Sequence, residues 1–334
     1  MRFLTVGALF AAAMATVVPA TAATTAHTTR VQHAAHAEHG MHADSVRYAS
    51  LKSCKDKHGD NVACGPWQLY LHSGKKKTLR DARVFPHDAK GKVMKDLPSP
   101  TAVSGDGEYI AYLRQRDDRL VVRELTGKVH VMPATAIPRH TSTADLSFNL
   151  SLKGAVLAVA SGDQGWLRLF DVASGKQLGT VRKHGSFVGF SGDEDEVLTT
   201  RDTNENTTEL VTYDLEGHQV KRQEPPQVVA QQNPLALNAD GSSVALYSSG
   251  SHTLKVYDLD SQTIVSSVKV RFPGDDAPEM IDWTGDHEVT VHAPTGNGST
   301  VHMRIFQIDP RTGAKKLRDS YRIKNAFSYA ACGG

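Results

Sequence analysis

Five segments of this chain repeat one arrangement: an alternating strand, an acidic or polar turn, and a second strand. They are RLVVRELTGKVHVM, WLRLFDVASGKQLGTV, TELVTYDLEGHQVKR, TLKVYDLDSQTIVSSV and HMRIFQIDPRTGAKKL. Their turn positions Glu124, Asp171, Asp214, Asp258 and Gln307 stand 47, 43, 44 and 49 residues apart. A second pattern of strand, polar turn and strand accompanies them in TAVSGDGEYIAYL, SFNLSLKGAVLAVAS, SFVGFSGDEDEVLTT, LALNADGSSVALYSS and MIDWTGDHEVTVHA. Short apolar alternations between Gly, Asp, Asn and Ser turns predict β-strands, and no amphipathic helix is predicted beyond the N-terminal segment. A weaker sixth unit runs through VACGPWQLYLHSGKKKTLRDARV. Each unit has room for four short strands, and a lone four-stranded sheet leaves a face unsatisfied until a neighbour packs on it. The period therefore predicts one repeat architecture rather than two globules, and radial closure would satisfy every unit alike.

The segments LRLFDVASG, LVTYDLEG and LKVYDLDS resemble the third strand and following turn of WD-repeat and YVTN-type β-propellers, and SGDGEYIA and NADGSSVA resemble the innermost strands of those folds. The resemblance runs from Val46 to the C-terminus. Phe170-Asp171, Tyr213-Asp214 and Tyr257-Asp258 stand where that family has Trp-Asp, and no Gly-His dipeptide recurs in phase, so the likeness is one of architecture. It implies an all-β fold, a β-propeller of about six four-stranded blades, with seven as the alternative count. It also implies that residues 326–332, within the terminal FSYAACGG, complete the blade begun near Ser45.

The opening MRFLTVGALFAAAMATVVPATAA has a positive charge at Arg2, an apolar run from Phe3 to Val18, and small residues at Ala20, Ala22 and Ala23. That is the layout of a secretory signal peptide over residues 1–23, of bacterial type. The run is shorter than the roughly 20 apolar residues of a membrane span, so stable membrane insertion is not expected. The expectation is a secreted protein, extracellular or associated with the cell wall. Residues 24–45 are small, polar and histidine-rich without a period that could bury a face, and predict a disordered tail before a propeller domain over 46–334. Lys plus Arg number 38 against 36 acidic residues, a formal charge of +2, which argues against nucleic acid as the partner. The run Lys75, Lys76, Lys77 reads as a solvated strand edge that discourages further pairing.

Three cysteines in an exported chain leave one over after pairing. Cys54 and Cys64 flank KDKHGDNVA, whose Gly59, Asp60 and Asn61 predict a hairpin turn that brings the two sulfurs together. The alternative joins Cys54 or Cys64 to Cys332 and so ties the first unit to the chain end. A free reactive thiol at Cys332 has no base or basic residue near it in sequence.

His33, His36, His39 and His42 recur every third residue and would project along one edge of a polyproline II segment. Such tracts bind Zn, Cu or Ni through neutral imidazole, so a divalent metal is the one cofactor the chain suggests. Against it stands the entropy lost in ordering a flexible tail. Asp106, Asp171, Asp193, Asp214, Asp240 and Asp258 fall where turns need acceptors for backbone N–H groups. Trp67, Trp166 and Trp283 read as packing between blades, with sugar stacking on an exposed rim as the functional alternative. No GxSxG elbow, HExxH, Walker loop or CxxC pair is present. A propeller hydrolase or lactonase would assemble its site from scattered inner positions, for which Asp145, Asn238 and Asp282 are the candidates. The leading expectation is a monomeric, non-enzymatic scaffold that binds a protein or a cell-envelope polymer through one face. A propeller enzyme of the lactonase or hydrolase class, with a metal, is the second reading, and metal binding through the histidine tract is the third.

Overall fold

The computed structural model describes residues 44–183, 185–274, 277–285, 287–296 and 299–332, all within one compact unit, Glu38–Gly334. The histidine tract and the signal-like segment lie outside the described residues. Six antiparallel four-stranded sheets are arranged as the blades of a β-propeller. The innermost strands are Ala326–Ala331 in blade 1, Thr101–Val103, Leu146–Leu150, Ser186–Phe190, Leu235–Leu237 and, in blade 6, Met280–Thr284. The outermost are Lys76–Leu79, Val129–Val131, Gln177–Arg182, Gln219–Gln223, Thr263–Lys269 and Lys315–Lys324. The blade 1 edge strand carries exposed Lys76 and Lys77, as its charge requires.

The second strands show why the sequence alternates only in places. Val156–Ser161 is buried along its whole length and Ser243–Ser248 along all but its last residue. Neighbouring blades cover both faces there, so VLAVAS and SVALYS need apolar or small residues at every position rather than at every second one. Outer strands face water and lose that constraint; Gln219–Gln223 has no fully buried residue.

Apolar clusters fill all six interfaces. Trp67 and Tyr112 join blades 1 and 2, and Leu113, Phe148 and Trp166 join blades 2 and 3. Leu169 and Val197 link blades 3 and 4, Leu198 and Leu246 link blades 4 and 5, and Tyr247 and Trp283 link blades 5 and 6. Tyr48, Met303 and Tyr321 join blade 6 back to blade 1 and close the ring. All three tryptophans pack between blades, at most 9% exposed.

Closure uses the chain end, as the resemblance implied. Ala326–Ala331 pairs antiparallel with the strand Val46–Lys55, from Tyr48 opposite Ala331 to Lys52 opposite Ala326. Cys332 then bridges in parallel to Val103 of blade 2. The N–H of Val46 donates to the Gly107 carbonyl at 2.8 Å. Gly107 has φ +74°, and a Cβ there would lie 2.3 Å from the Val46 carbonyl oxygen, so only glycine fits the join.

The turn aspartates act as acceptors. Asp106 takes N–H of Glu108 at 2.9 Å, Asp171 takes Ser174 at 2.8 Å, Asp214 takes His218 at 2.7 Å, Asp240 takes Ser242 at 2.9 Å and Asp258 takes Ser261 at 2.6 Å. Asp193 accepts the Ser191 hydroxyl at 2.7 Å. One helical turn, Gln227–Ala230, follows Pro225-Pro226 and buries Val229 and Ala230. Four residues are too few to show a helical period, so the sequence offers no sign of it.

Cys54 and Cys64 form the disulfide across the hairpin of Val46–Lys55 and Asn61–Leu71, with Cα atoms 5.8 Å apart. Cys332 is a buried free thiol. Replacing both paired cysteines by serine is expected to cost about 2–3 kcal/mol, the loop entropy returned to the unfolded chain. A urea melt of C54S/C64S against wild type, both under non-reducing conditions, measures it; identical midpoints would show that the bond does not constrain the fold.

Candidate binding face and the seam between blades 6 and 1

The antiparallel order of each blade sends its connections to two ends. Turns joining first to second and third to fourth strands gather at one end, the turn end. Second-to-third hairpins and the crossovers between blades gather at the other, the crossover end. The turn end consists of tight turns such as 104–108, 125–128 and 215–218, whereas the crossover end carries the long connections 80–100, 132–145 and 224–234. Loops on a rigid scaffold are where binding residues concentrate.

Two crossover-end features are held rigidly. The blade 1 hairpin is an arm stapled by Cys54–Cys64, and the connection 80–100 lies against its base. Ala63 and Trp67 of the hairpin and Ala82 of the connection are buried in one cluster, with Val84 and Phe85 packed on it. The Trp67 indole N–H donates to the Arg83 carbonyl at 3.3 Å. Arg83 pairs with Asp118, and the His87 N–H donates to the Thr143 hydroxyl oxygen at 2.8 Å. Asp88 accepts N–H of Lys90 and Lys92, both at 2.9 Å, and those bonds hold its carboxyl below the usual range.

A cleft of about 250 Å³ is lined by residues 326–329 of the blade 1 inner strand and by Val301 and Ile323 of blade 6. Glu279, just before the blade 6 inner strand, contributes its carboxylate, which accepts the Tyr329 hydroxyl. Desolvation raises the Glu279 pKa above the ordinary carboxylate value.

Deeper in the seam Arg47 donates to Asp319 at 3.0 Å, His72 stands 3.6 Å from the same carboxylate, and Tyr48 is stacked between Tyr70 and Tyr321 with ring centroids 4.4 and 5.0 Å away. His292 is 3% exposed and lies 4.0 Å from Asp282. The Asp282 side chain retains 31% exposure deep among protein atoms. Burial pushes the Asp282 carboxyl up to about 7 and the His292 imidazole down to about 4. Among the described residues His292 Nδ1 and the Tyr321 hydroxyl have no hydrogen-bond partner.

The three inner-position candidates do not converge. Asp145 is exposed at the crossover end of blade 3. Asn238 belongs to the blade 5 turn, where its carbonyl oxygen accepts the Ser243 N–H at 2.9 Å. Only Asp282 faces the interior. A carboxyl titrating near neutrality suits proton transfer, but the thiol in its electrostatic reach, Cys332, is pushed up to about 12 by burial and stays protonated. No group of three His, Cys, Asp or Glu among the described residues is placed to hold a metal. His292 was hidden in the sequence because VTVHA reads as one more alternating strand, and Glu279 because it precedes a strand with no motif around it.

The seam pair has a pH signature. Folded Asp282 keeps its proton up to about 7, while the unfolded carboxyl releases it near 4. Its contribution to stability therefore weakens as pH rises from about 4 to 7. Folded His292 stays neutral down to about 4, while the unfolded ring takes a proton below about 6.5. Its contribution weakens as pH falls through that window, and between about 4 and 6.5 the two proton balances cancel. Asp282→Asn is expected to reveal the histidine slope, a loss of up to about 1.4 kcal/mol per pH unit on acidification, and His292→Gln the opposite slope. Urea melts of the three proteins from pH 4 to 7 check this; three parallel profiles would refute it.

The chain is a β-propeller. No protein-family model matches it, and no curated protein matches it at a significant level. Solved structures do. The β-propeller domain of the Trilobed protease from Pyrococcus furiosus aligns with TM-score 0.47 at 13% identity, over 82% of this chain and 94% of that one. Virginiamycin B lyase from Staphylococcus aureus gives 0.42 at 12%, over 72% and 75%. The β-propeller domain of Cps50 (Swd1) from Myceliophteria thermophila gives 0.42 at 19%, over 67% and 70%. At such identities the likeness bears on the fold alone.

Proposed function

We propose that this protein is an exported, non-enzymatic scaffold that binds a protein or a cell-envelope polymer through the crossover end of its propeller. The observation that carries the reading is the inequality of the two ends. Tight turns close one, while the other holds the stapled arm, the anchored 80–100 connection and the Glu279 cleft. Six packed interfaces give those loops a rigid base, so little ordering entropy is lost on binding. The disulfide fits an oxidising compartment, and the signal-like first 23 residues supply a route there.

The test is retention of material from the source cell's culture supernatant and envelope fraction on immobilised protein. A variant with 86–97 replaced by a short Gly-Ser linker, and a second with the turn 215–218 altered, serve for comparison. Retention lost only in the first variant is expected. Equal retention by all three would place binding elsewhere, and no retention by the native protein would end the scaffold reading.

A further inference from the structure

We propose that the crossover end of blades 1 and 2 is a docking surface for a flexible polyanionic polymer, one that repeats phosphate or carboxylate groups along its length. The proposal rests on the assignment of the crossover end as the binding face and gives its partner a chemistry. Two sets of exposed lysines stand there: Lys52, Lys55 and Lys57 on the arm, and Lys90, Lys92 and Lys95 on the connection. The lysine ion pairs among the described residues are Lys75–Asp44, Lys128–Glu124 and Lys221–Asp260; none of these six stands within ion-pair distance of a described carboxylate, although Lys90 and Lys92 act on Asp88 through space.

Several acids of these and the neighbouring loops are engaged elsewhere. Asp56 accepts N–H of His58 at 2.8 Å and Asp60 at 2.9 Å, and Asp88 holds the turn at Lys90 and Lys92. Asp117 pairs with Arg114 at 2.6 Å, Asp118 with Arg83, and Asp81 with Arg123 at 2.7 Å. Residues 52–60 and 80–100 together hold eight lysines and arginines against five aspartates, a formal excess of +3.

Acidic turns at the other end, Asp193-Glu194-Asp195 foremost, offset it in the whole-chain total of +2. A polyanion therefore meets attraction at one end and repulsion at the other. The lysines sit on two elements fixed to one apolar base at Ala63, Trp67 and Ala82, so their spacing is set before anything binds. Lysine is a point charge without the planar fork of arginine, which suits a run of like charges better than one oriented anion.

Fluorescence anisotropy with labelled linear polyphosphate and with labelled polyglutamate tests this on the mature chain. Binding of at least one is expected, weakening about tenfold or more between roughly 50 and 200 mM salt. K90E/K92E/K95E is expected to weaken it by a further tenfold or more. K153E/K176E, at the turn end, is expected to leave it unchanged, with thermal melts showing all three proteins folded. No binding to either polymer, or equal binding by the K90E/K92E/K95E protein, overturns the proposal. Tighter binding to duplex DNA, or to vesicles of anionic lipid, overturns it in favour of that partner class. If envelope material is retained by the native protein and by K90E/K92E/K95E alike, the polyanion inference falls while the binding face stands. If the native protein retains none, the binding-face reading itself fails.

Discussion

A chain that stops at Lys324 is expected to lose its cooperative unfolding transition altogether. The missing Ala326–Ala331 is the inner strand of blade 1, and without it the strand Val46–Lys55 has an open edge from Tyr48 to Lys52. Leu51 and Ala49, now fully buried, would meet solvent, and the packing of Phe327 and Ala330 against the blade 1 to blade 2 cluster would go. Blade 2 would lose the bridge from Cys332 to Val103 in the same event. Exposing one interface and one sheet edge together removes an amount comparable with the whole margin of about 5–15 kcal/mol by which domains are stable. Calorimetry and circular dichroism of the truncated chain measure this, and adding the peptide 325–334 is expected to restore part of the transition. A truncated protein melting within a few degrees of the full chain would show that the ring does not depend on its seam.

Trp67→Ala is expected to cost about 3–5 kcal/mol, the range for emptying a fully buried aromatic site. The ring is 1% exposed and lies among Leu69, Leu79 and Ala82 at the blade 1 to blade 2 interface. Its N–H also holds the Arg83 carbonyl, so the substitution frees the base of the 80–100 connection as well as leaving a cavity. Trp67→Phe keeps most of the apolar contact and is expected to cost clearly less. Urea unfolding of the two variants gives the comparison, and a loss below about 1 kcal/mol for the alanine variant would contradict the burial assigned to this side chain. Polymer binding by a folded Trp67→Ala protein is expected to fall, because the two lysine sets would no longer share a fixed base.

The architecture was legible because each blade solves the same local problem. Turn acceptors such as Asp171, Asp214 and Asp258 must follow the third strand, and apolar residues must fill the second strand wherever neighbours cover both of its faces, so the period is written in single residues. The hairpin disulfide was legible for the same local reason, the turn around Gly59 and Asp60. Candidate site residues were less so. Asn238 and Asp145 looked like inner polar positions, yet one caps a turn and the other faces solvent. Their place depends on the tilt and phase of each blade, which no residue pattern states.

What the amino-acid order determined on its own was a series of similar four-stranded units, since strand alternation and turn chemistry are properties of neighbours along the chain; closure by the last strand was what the resemblance to β-propellers implied. Only the tertiary structure decided that Asp282 and His292 share the seam, that Glu279 meets Tyr329, and that arm and connection stand on one apolar base. Those groups lie between about 10 and 50 residues apart, and their meeting follows from strand pairing and blade packing. The same packing separates charges that the sum of +2 averages away, because a net charge has no position until the chain has folded.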